Sequence, residues 1–379
     1  MNTLKLIRCI PKRSLQGLRL MSSSSSNIIP VSEVKRFTVD CLEAAAVPQD
    51  HAVMLADVLV AADYRGHFSH GMNRLEMYVK DVQSGICDGG AEPAIIKQTA
   101  ATALVDGKNG LGPVVGNFCM QLAINKALET GVGWIAAKGS NHYGIASWYS
   151  LQAVEKGMIG LSFTNTSPLM SPTRAKTPAL GTNPLTLAAP GKNGDSFVLD
   201  MATTAVALGK LEVQRRKNEP LPHGWAQDET GTETTNAARA VTKGTLLPLG
   251  GTELTSGYKG YGLSFLVELL CGVLAGATYG PHIRRWMTTD RSADLGQCFI
   301  AVNPDAFAPG FTERLQDLMD YMRNLEPSDP SLPVLVAGDP ERKCMAMNDK
   351  QGGIKYHESQ LIACKALANT LSVIPLRPL

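Results

Sequence analysis

One polar loop organises the chain: residues 63–78, with the sequence DYRGHFSHGMNRLEMY. It follows an apolar helical run and holds two histidines, two arginines, a serine and two tyrosines. Gly66 and Gly71 indicate a loop between helices, and the residues after Gly71 return to helical spacing. Arg74 and Tyr78 then lie on one helix face, so that an acid–base group, a carboxylate-binding cation and hydroxyls converge. The alternative is a polar helix–loop–helix corner whose histidines bond only to the backbone.

Length and composition exclude several classes of protein. The 379 residues exceed one average domain, which favours two domains or one elaborate domain. The balance of 36 basic against 34 acidic residues gives no indication of a nucleic-acid or membrane-surface partner. The eight cysteines form no C-x-x-C pair, which predicts reduced and mostly buried thiols. The longest apolar run, residues 261–275, contains Glu268 and is too short to cross a bilayer.

Residues 1–26 differ in composition from the rest of the chain. Basic residues occur there among leucines, a serine run follows, and the first acidic residue is Glu33. A basic, serine-rich and acid-poor stretch is typical of a mitochondrial transit peptide. We therefore predict a presequence over residues 1–26 and a location in the mitochondrial matrix. The alternative is a disordered basic tail.

Helical patterns dominate both ends of the chain, and strand patterns concentrate in the middle. This distribution predicts an α+β protein whose two terminal segments pack together as one discontinuous helical domain. The helical domain would comprise residues 28–95 and 312–379, and a central sheet domain residues 96–311. Near the C-terminus, residues 332–337 are predicted as a strand.

A dinucleotide fingerprint of the form G-x-G-x-x-A occurs at residues 131–136 but lies in the wrong context. A Rossmann site needs a strand before the glycines and a helix after them, so that the helix N-terminus meets the pyrophosphate. Here a predicted helix over residues 114–129 comes first and a predicted strand over residues 133–137 follows. Gly131 and Gly133 are therefore interpreted as a helix end, and a Rossmann site is rejected.

Polar turns at predicted element ends offer further ligand-binding groups. Residues 164–170, TNTSPLM, follow a strand and present hydroxyl and backbone N–H donors, and Asp200 ends another predicted strand. Residues 257–262, GYKGYG, open a predicted helix where glycines allow the backbone to approach a phosphate and Lys259 supplies charge. The alternative for this last segment is an ordinary glycine-rich turn with a solvated lysine.

Six motifs occur in one order along the chain, over residues 30–375. They are R-G-x-x-S-H-G-x-x-R-L-x-x-Y at 65–78, N-H-Y-G at 141–144, G-T-N-P at 181–184, L-D-M-A-T at 199–203, P-L-G-G at 248–251 and K-G-Y-G-L at 259–263. On these motifs the chain resembles the type 2 malate/L-lactate dehydrogenases, which include ureidoglycolate, sulfolactate and diketogulonate oxidoreductases.

The resemblance implies NAD, with NADP as the alternative, bound by a non-Rossmann sheet domain, and it implies a homodimer. It places the substrate against Ser69, His70, Arg74, Tyr78 and His142. The residues that it places against the cofactor are Thr164, Asn165, Thr166, Met201, Ala202, Lys259, Gly338 and Asp339. The Gly338-Asp339 turn is the loosest of these matches.

The implied chemistry is hydride transfer between a nicotinamide and a small 2-hydroxy or 2-oxo acid. Histidine suits the proton of the substrate hydroxyl because its pKa lies near neutrality, and His142 and His70 are the candidates. A guanidinium suits the substrate carboxylate because its planar fork bonds both oxygens, and Arg74 is preferred to Arg65. Asp200 either orients a histidine or touches the cofactor.

Malate and oxaloacetate are the expected substrates, with pyruvate, sulfopyruvate or a ureidoglycolate-type acid as the alternatives. Two other classes remain open. His67, His70 and His142 could form the metal site of a lyase or hydrolase, although no acidic ligand motif accompanies them and no metal is expected. The chain could also bind a dinucleotide without catalysis.

Overall fold

The computed structural model describes residues 27–379. The predicted presequence, residues 1–26, lies outside the described residues. Among the described residues, no helix has both the length and the apolar character that a membrane span requires.

Helices and strands alternate irregularly along the chain. The helices are α1 Val31–Ala44, α2 Gln49–Tyr64, α3 Leu75–Gln83, α4 Gly112–Thr130, α5 Ser147–Val154, α6 Leu208–Lys217, α7 Ala237–Lys243, α8 Gly257–Glu268, α9 Phe311–Arg323, α10 Asp339–Gln351 and α11 Glu358–Leu371. The strands are β1 Ile28–Ile29, β2 Ala94–Gln98, β3 Thr102–Asp106, β4 Val132–Ser140, β5 Ile159–Thr164, β6 Leu185–Pro190, β7 Ser196–Met201, β8 Ala226–Gln227, β9 Thr245–Leu246, β10 Leu295–Val302 and β11 Ile354–Lys355.

A seven-stranded sheet forms the centre of the molecule, in the order β2-β3-β4-β10-β5-β6-β7. The β3–β4 pair is parallel and the other pairs are antiparallel. Strand β10 inserts between β4 and β5, although it follows them by more than a hundred residues. The expected α+β class is thereby confirmed.

Helices cover both faces of the sheet at β10. Phe299 and Ala301 belong to the apolar cluster formed with α4 and α5, whereas Cys298 and Ile300 pack with Val267 of α8. Successive side chains of a strand point to opposite faces. The central strand is therefore buried on both sides, and its continuous apolar sequence reflects this position.

The two ends of the chain pack against each other. Side chains of α1, α2 and α3 share one apolar cluster with β11 and α11, and β1 pairs with β11. Helix α9 lies instead against the turn between β6 and β7, where Gln316 accepts a hydrogen bond from the Lys192 amide at 2.9 Å. The division into a helical and a sheet domain at residues 95 and 312 stays a prediction.

The glycines of residues 131–136 follow the predicted context. Gly131 ends α4 in the left-handed conformation, with φ of 83°, and β4 begins at Val132. A Cβ at Gly133 would lie 1.9 Å from the Ala123 carbonyl oxygen, so this glycine permits close packing of α4 on the sheet. The interpretation of Gly131 as a helix end is confirmed, whereas that of Gly133 is wrong, because Gly133 lies inside β4.

The predicted strand over residues 332–337 is wrong. This segment is irregular and makes one recorded backbone bond to the sheet, from the Val198 amide to the Ala337 oxygen at 3.0 Å. Pro333 has no N–H to donate, which interrupts a strand ladder. The segment therefore forms no eighth strand, and of its apolar side chains Val336 is buried whereas Leu332 and Leu335 are exposed.

Candidate active site

The organising loop is built from two short 3₁₀ turns, Phe68–His70 and Met72–Arg74, between α2 and α3. Asp63 holds the loop, because its carboxylate accepts bonds from the Met72 amide at 2.9 Å and the Tyr356 hydroxyl at 2.7 Å. A Cβ at Gly71 would lie 1.8 Å from that carboxylate, so only glycine fits. Burial raises the pKa of Asp63 to about 7.

A cavity of about 130 Å³ opens beside this loop. Its walls come from the loop, the turn after β4, the end of β5, the start of α6 and the segment before β10. They consist of Ser69, His70, Arg74, His142, Tyr143, Gly144, Thr164, Thr166, Ser167, Leu169, Thr182, Pro184, Ala202, Ala207, Leu208, Gly209, Trp286 and Leu295. The structure thus brings the two predicted histidines and the predicted arginine to one cavity.

His70 and His142 lie with their rings stacked, 5.7 Å between centroids and 20° between planes. The Ser69 hydroxyl lies 2.8 Å from Nδ1 of His70. The Tyr78 hydroxyl lies 2.6 Å from Nδ1 of His142 and 3.1 Å from its backbone oxygen. Each ring therefore has one nitrogen oriented by a hydroxyl.

Both histidines are held neutral in this cavity. Burial, with the nearby positive charge of Arg74, lowers the pKa of His70 to about 4. Burial is the main cause that holds the pKa of His142 well below its usual range, and the charges of His70 and Arg74 add to it. A neutral imidazole can accept a proton, which is what oxidation of a hydroxyl requires.

The tautomer of His142 and the direction of the Tyr78 hydrogen bond depend on each other. A backbone oxygen only accepts, so a Tyr78 hydroxyl that donates to it receives its own hydrogen bond from Nδ1 of His142. Nε2 is then the unprotonated nitrogen. If the hydroxyl donates to Nδ1 instead, Nε2 carries the proton. Burial raises the pKa of Tyr78 above its usual range, which keeps the hydroxyl protonated in both arrangements.

Arg74 is oriented by two contacts. Its Nε donates to the Ser69 backbone oxygen at 2.7 Å, and its guanidinium carbon lies 5.2 Å from the centroid of the Trp286 ring. Among the described residues, no protein group accepts a hydrogen bond from its two terminal nitrogens. That edge matches the two oxygens of a carboxylate.

Of the residues predicted to bind the cofactor, Thr164, Thr166 and Ala202 line the cavity, and Met201 directly precedes Ala202. Asn165 is completely buried and turned away, donating to Glu268 and to the Thr278 oxygen, both at 2.9 Å. The side chain of Asn165 therefore links the end of β5 to the end of α8 and to the Thr278 loop, and its oxygen accepts a bond from the Gly296 amide of β10.

Asp200 belongs to a neighbouring charged cluster. Its carboxylate accepts a hydrogen bond from the Ser147 amide at 2.9 Å. The charges of His67 and Glu341 both influence its pKa. Burial raises its pKa. Arg65 faces the same cluster, where the carboxylates of Glu341 and Asp200 favour the charged form of its guanidinium. The histidine near Asp200 is thus His67, not His70 or His142.

Lys259, Gly338 and Asp339 do not line the cavity. Lys259 is exposed in the first turn of α8. Gly338 precedes α10 with φ of 100°, and the Asp339 carboxylate bonds to Arg323 at 2.8 Å. Their predicted contacts with a cofactor remain predictions.

The histidines of the alternative metal site do not converge. His67 lies 3.4 Å from Glu341, while His70 stacks on His142. Among the described residues, one group of three side chains is close enough to hold an ion: Asp50, His51 and Glu92, which lie in a different groove.

Trp286, which lies against both Arg74 and His142, is absent from the predicted site residues. Leu208 and Gly209 at the start of α6 are absent from them too. Trp286 lies in a polar segment without helical or strand periodicity, so no local pattern indicated it.

Known dehydrogenases resemble this chain in sequence and in fold. A sequence model of the family described as malate/L-lactate dehydrogenase matches residues 29–363. The chain is 44% identical over 299 residues to the malate dehydrogenase of Pyrococcus abyssi, covering 78% of this chain and 82% of that protein. It is 38% identical over 349 residues to the L-sulfolactate dehydrogenase of Methanocaldococcus jannaschii, covering 91% and 98%. The structure of malate dehydrogenase from Pyrococcus horikoshii OT3 superimposes with a TM-score of 0.84 at 36% identity, covering 92% and 97%.

Proposed function

The chain belongs to the malate/L-lactate dehydrogenase family, and on this premise we propose that it interconverts a small 2-hydroxy acid and its 2-oxo acid. Malate and oxaloacetate are the first choice, because a malate dehydrogenase is the relative at 44% identity. One observation carries the proposal: the free edge of the Arg74 guanidinium lies in the same cavity as two neutral, buried histidines.

Each of these residues has its own role in the proposed reaction. Arg74 binds the carboxylate through its terminal nitrogens, which places the C2 oxygen near His70 and His142. The bound negative charge offsets the positive charge of Arg74, which is one of the causes that lower the pKa of both histidines, so that pKa rises in the substrate complex. His142 then accepts the proton of the substrate hydroxyl in oxidation and returns it in reduction. The Tyr78 hydroxyl, bonded to Nδ1 of His142, can change between accepting and donating as it does so. His70, oriented by Ser69, binds and polarises the C2 oxygen.

A nicotinamide cofactor supplies the hydride acceptor or donor, and NAD is proposed ahead of NADP. The chemistry of the lining fits such a group. Hydroxyls of Thr164, Thr166 and Thr182 and the small side chain of Ala202 border the cavity next to the histidines. Their hydroxyls can bond to an amide or ribose, and alanine leaves room for a flat ring.

A monocarboxylate such as pyruvate is the second candidate. Arg74 is the one cationic side chain among the lining residues, whose histidines are neutral. The second carboxylate of oxaloacetate would then rely on hydroxyls and on the backbone amides at the start of α6, near Leu208 and Gly209. The ratio of kcat/KM for oxaloacetate and pyruvate decides between the two candidates.

The test is the oxidation of NADH and NADPH with a panel of 2-oxo acids. Replacing Arg74 with lysine keeps the charge and removes the fork, so we expect Arg74→Lys to raise KM for the acid by an amount equivalent to about 1.5–3 kcal/mol. Arg65→Lys is the matched control, because Arg65 faces Asp200 and Glu341 outside the cavity. Equal kinetics in the two variants would mean that another group binds the carboxylate.

A further inference from the structure

The segment between residues 280 and 294 carries one aromatic side chain into the cavity. Trp286 is half-buried, whereas its neighbours Arg285 and Met287 are exposed. Its ring lies 5.7 Å from the His142 ring and 5.2 Å from the Arg74 guanidinium carbon. Trp286 thus contacts both the carboxylate-binding residue and the proton-transfer residue of the proposed reaction.

This segment is attached to the helix that follows Arg74. Arg284 makes an ion pair of 2.7 Å with Asp81 of α3, and both side chains are almost completely buried. Arg284 also donates to the Thr288 oxygen at 3.0 Å, and Ile283 is 1% exposed in a small apolar cluster. Trp286 is therefore held at a fixed distance from α3, and its position in the cavity wall is set by the fold.

The indole restricts the guanidinium in a defined way. The guanidinium carbon of Arg74 lies over the Trp286 ring, 5.2 Å from its centroid, and the Arg74 Nε donates to the Ser69 backbone oxygen. The terminal nitrogens remain as the one edge that can bind a carboxylate. Trp286 lines the same cavity as Leu169, Leu208 and Leu295. A substrate held on that edge, with its C2 oxygen toward the histidines, would therefore extend its C3 substituent among apolar side chains.

We propose that Trp286 positions Arg74 for the substrate carboxylate and sets the upper size of the C3 substituent that the cavity accepts. This role rests on the proposed function and deepens it, because it restricts the substrates to short 2-oxo acids. Trp286 acts through Arg74 and through steric exclusion, and it takes no part in the transfer of the proton or the hydride.

The test compares Trp286→Ala and Trp286→Phe with Trp225→Phe. Trp225 lies 5.9 Å from the Lys210 ammonium but does not line the cavity, so it controls for the loss of an indole–cation contact. The substrates are oxaloacetate, pyruvate, 2-oxobutyrate and 2-oxopentanoate, with NADH binding followed by its fluorescence.

In Trp286→Ala we expect KM for pyruvate to rise about three- to tenfold through the loss of the cation–π contact. Relative to pyruvate, kcat/KM for 2-oxopentanoate is expected to increase at least about tenfold, as for a pocket enlarged by one or more methylenes. NADH affinity is expected to stay within about twofold, since the residues proposed to hold a nicotinamide are Thr164, Thr166, Thr182 and Ala202, and Trp286 is not among them. Trp286→Phe keeps a ring and is expected to fall between wild type and alanine.

Two results separate this inference from the proposed function. If the wild-type protein reduces 2-oxo acids and Trp286→Ala has the KM and chain-length ratio of Trp225→Phe, the role of Trp286 is wrong while the function stands. If the wild-type protein reduces none of the acids, both the role of Trp286 and the proposed function are wrong. Should Trp286→Ala lose its circular-dichroism spectrum, Trp286→Phe carries the test, and an unchanged KM and ratio in that variant overturns the inference.

Discussion

The two histidines of the cavity differ in the residues that orient them. His142 is bonded to Tyr78, a buried phenol that can either donate to or accept from its ring. His70 is bonded to Ser69, whose backbone oxygen also fixes Arg74. His142 is therefore bonded to a phenol, whereas His70 is bonded to the same serine that holds the carboxylate-binding Arg74.

We expect His142→Ala to lower kcat about 10²–10⁴-fold, which is the usual contribution of general acid–base catalysis. Reduction of the 2-oxo acid needs a protonated histidine, so the wild-type rate falls as pH rises through the pKa of His142 in the substrate complex. In the oxidation direction, the rate falls as pH drops through the same pKa. Steady-state pH–rate profiles of His142→Ala are expected to lack this limb.

His70→Ala is the paired variant and is expected to raise KM at least as much as it lowers kcat. His223→Ala serves as the control, because the His223 side chain is 86% exposed and lies outside the cavity. If the pH limb survives in His142→Ala and disappears in His70→Ala, the two roles are reversed.

At the scale of elements, a charged network joins α9 and α10 to the turn between β6 and β7. Arg323 bonds to Asp195 at 2.6 Å and to Asp339 at 2.8 Å, and Arg342 bonds to Asp339 at 2.5 Å. Asp195, Arg323 and Asp339 are each less than a quarter exposed in their side chains. The beginning of α10, which carries two of the residues predicted to touch the cofactor, depends on this network.

Replacing Arg323 with methionine leaves two partly buried carboxylates with fewer partners. We expect the free energy of unfolding, measured by urea titration at neutral pH, to fall by about 1.5–3 kcal/mol. The Arg323 guanidinium lowers the pKa of Asp195 to about 2 from its ordinary 3.8. The stabilisation is therefore complete above about pH 4 and is lost as pH falls toward 2.

Arg314→Met is the matched control on the same helix. Arg314 is exposed and donates to the backbone oxygens of Ala308 and Pro309, so its loss is expected to cost less than about 1 kcal/mol. Equal stability of the two variants would show that the network makes no net contribution.

At the scale of the whole molecule, α8 and the π-helical turn after it present an apolar stripe to solvent. Its exposed side chains follow helical spacing: Tyr258, Phe265, Leu266, Leu269 and Val273. Contiguous exposed apolar surface of this kind marks an interaction site. We infer that a second copy of the chain covers this stripe, in agreement with the homodimer that the motifs imply.

A charge placed in this stripe would be buried without a partner, which is costly. Leu269→Glu is therefore expected to halve the molar mass measured by light scattering after gel filtration at micromolar concentration. Leu332→Glu is the control, because Leu332 is 65% exposed and lies between α9 and α10, outside α8 and the turn after it. A wild-type monomer, or a Leu269→Glu dimer, would contradict the inference.

The sequence by itself determined what depends on neighbours along the chain. The helical spacing around residues 114–129 predicted α4, and Gly131 predicted its end, because these features depend on local periodicity and backbone freedom. The spacing of residues 65–78 likewise kept Ser69, His70 and Arg74 together, since a loop of that length cannot separate them.

Only the tertiary structure decided which distant segments meet. It placed β10 between β4 and β5, brought Trp286 against Arg74, and put Asp200 beside His67 instead of beside a histidine of the cavity. It turned the amide of Asn165 into the protein interior, although its neighbours Thr164 and Thr166 line the cavity. These positions follow from how side chains remote in sequence pack and satisfy one another's hydrogen bonds. The helical repeat of three or four residues relates only near neighbours along the chain, so it does not specify such contacts.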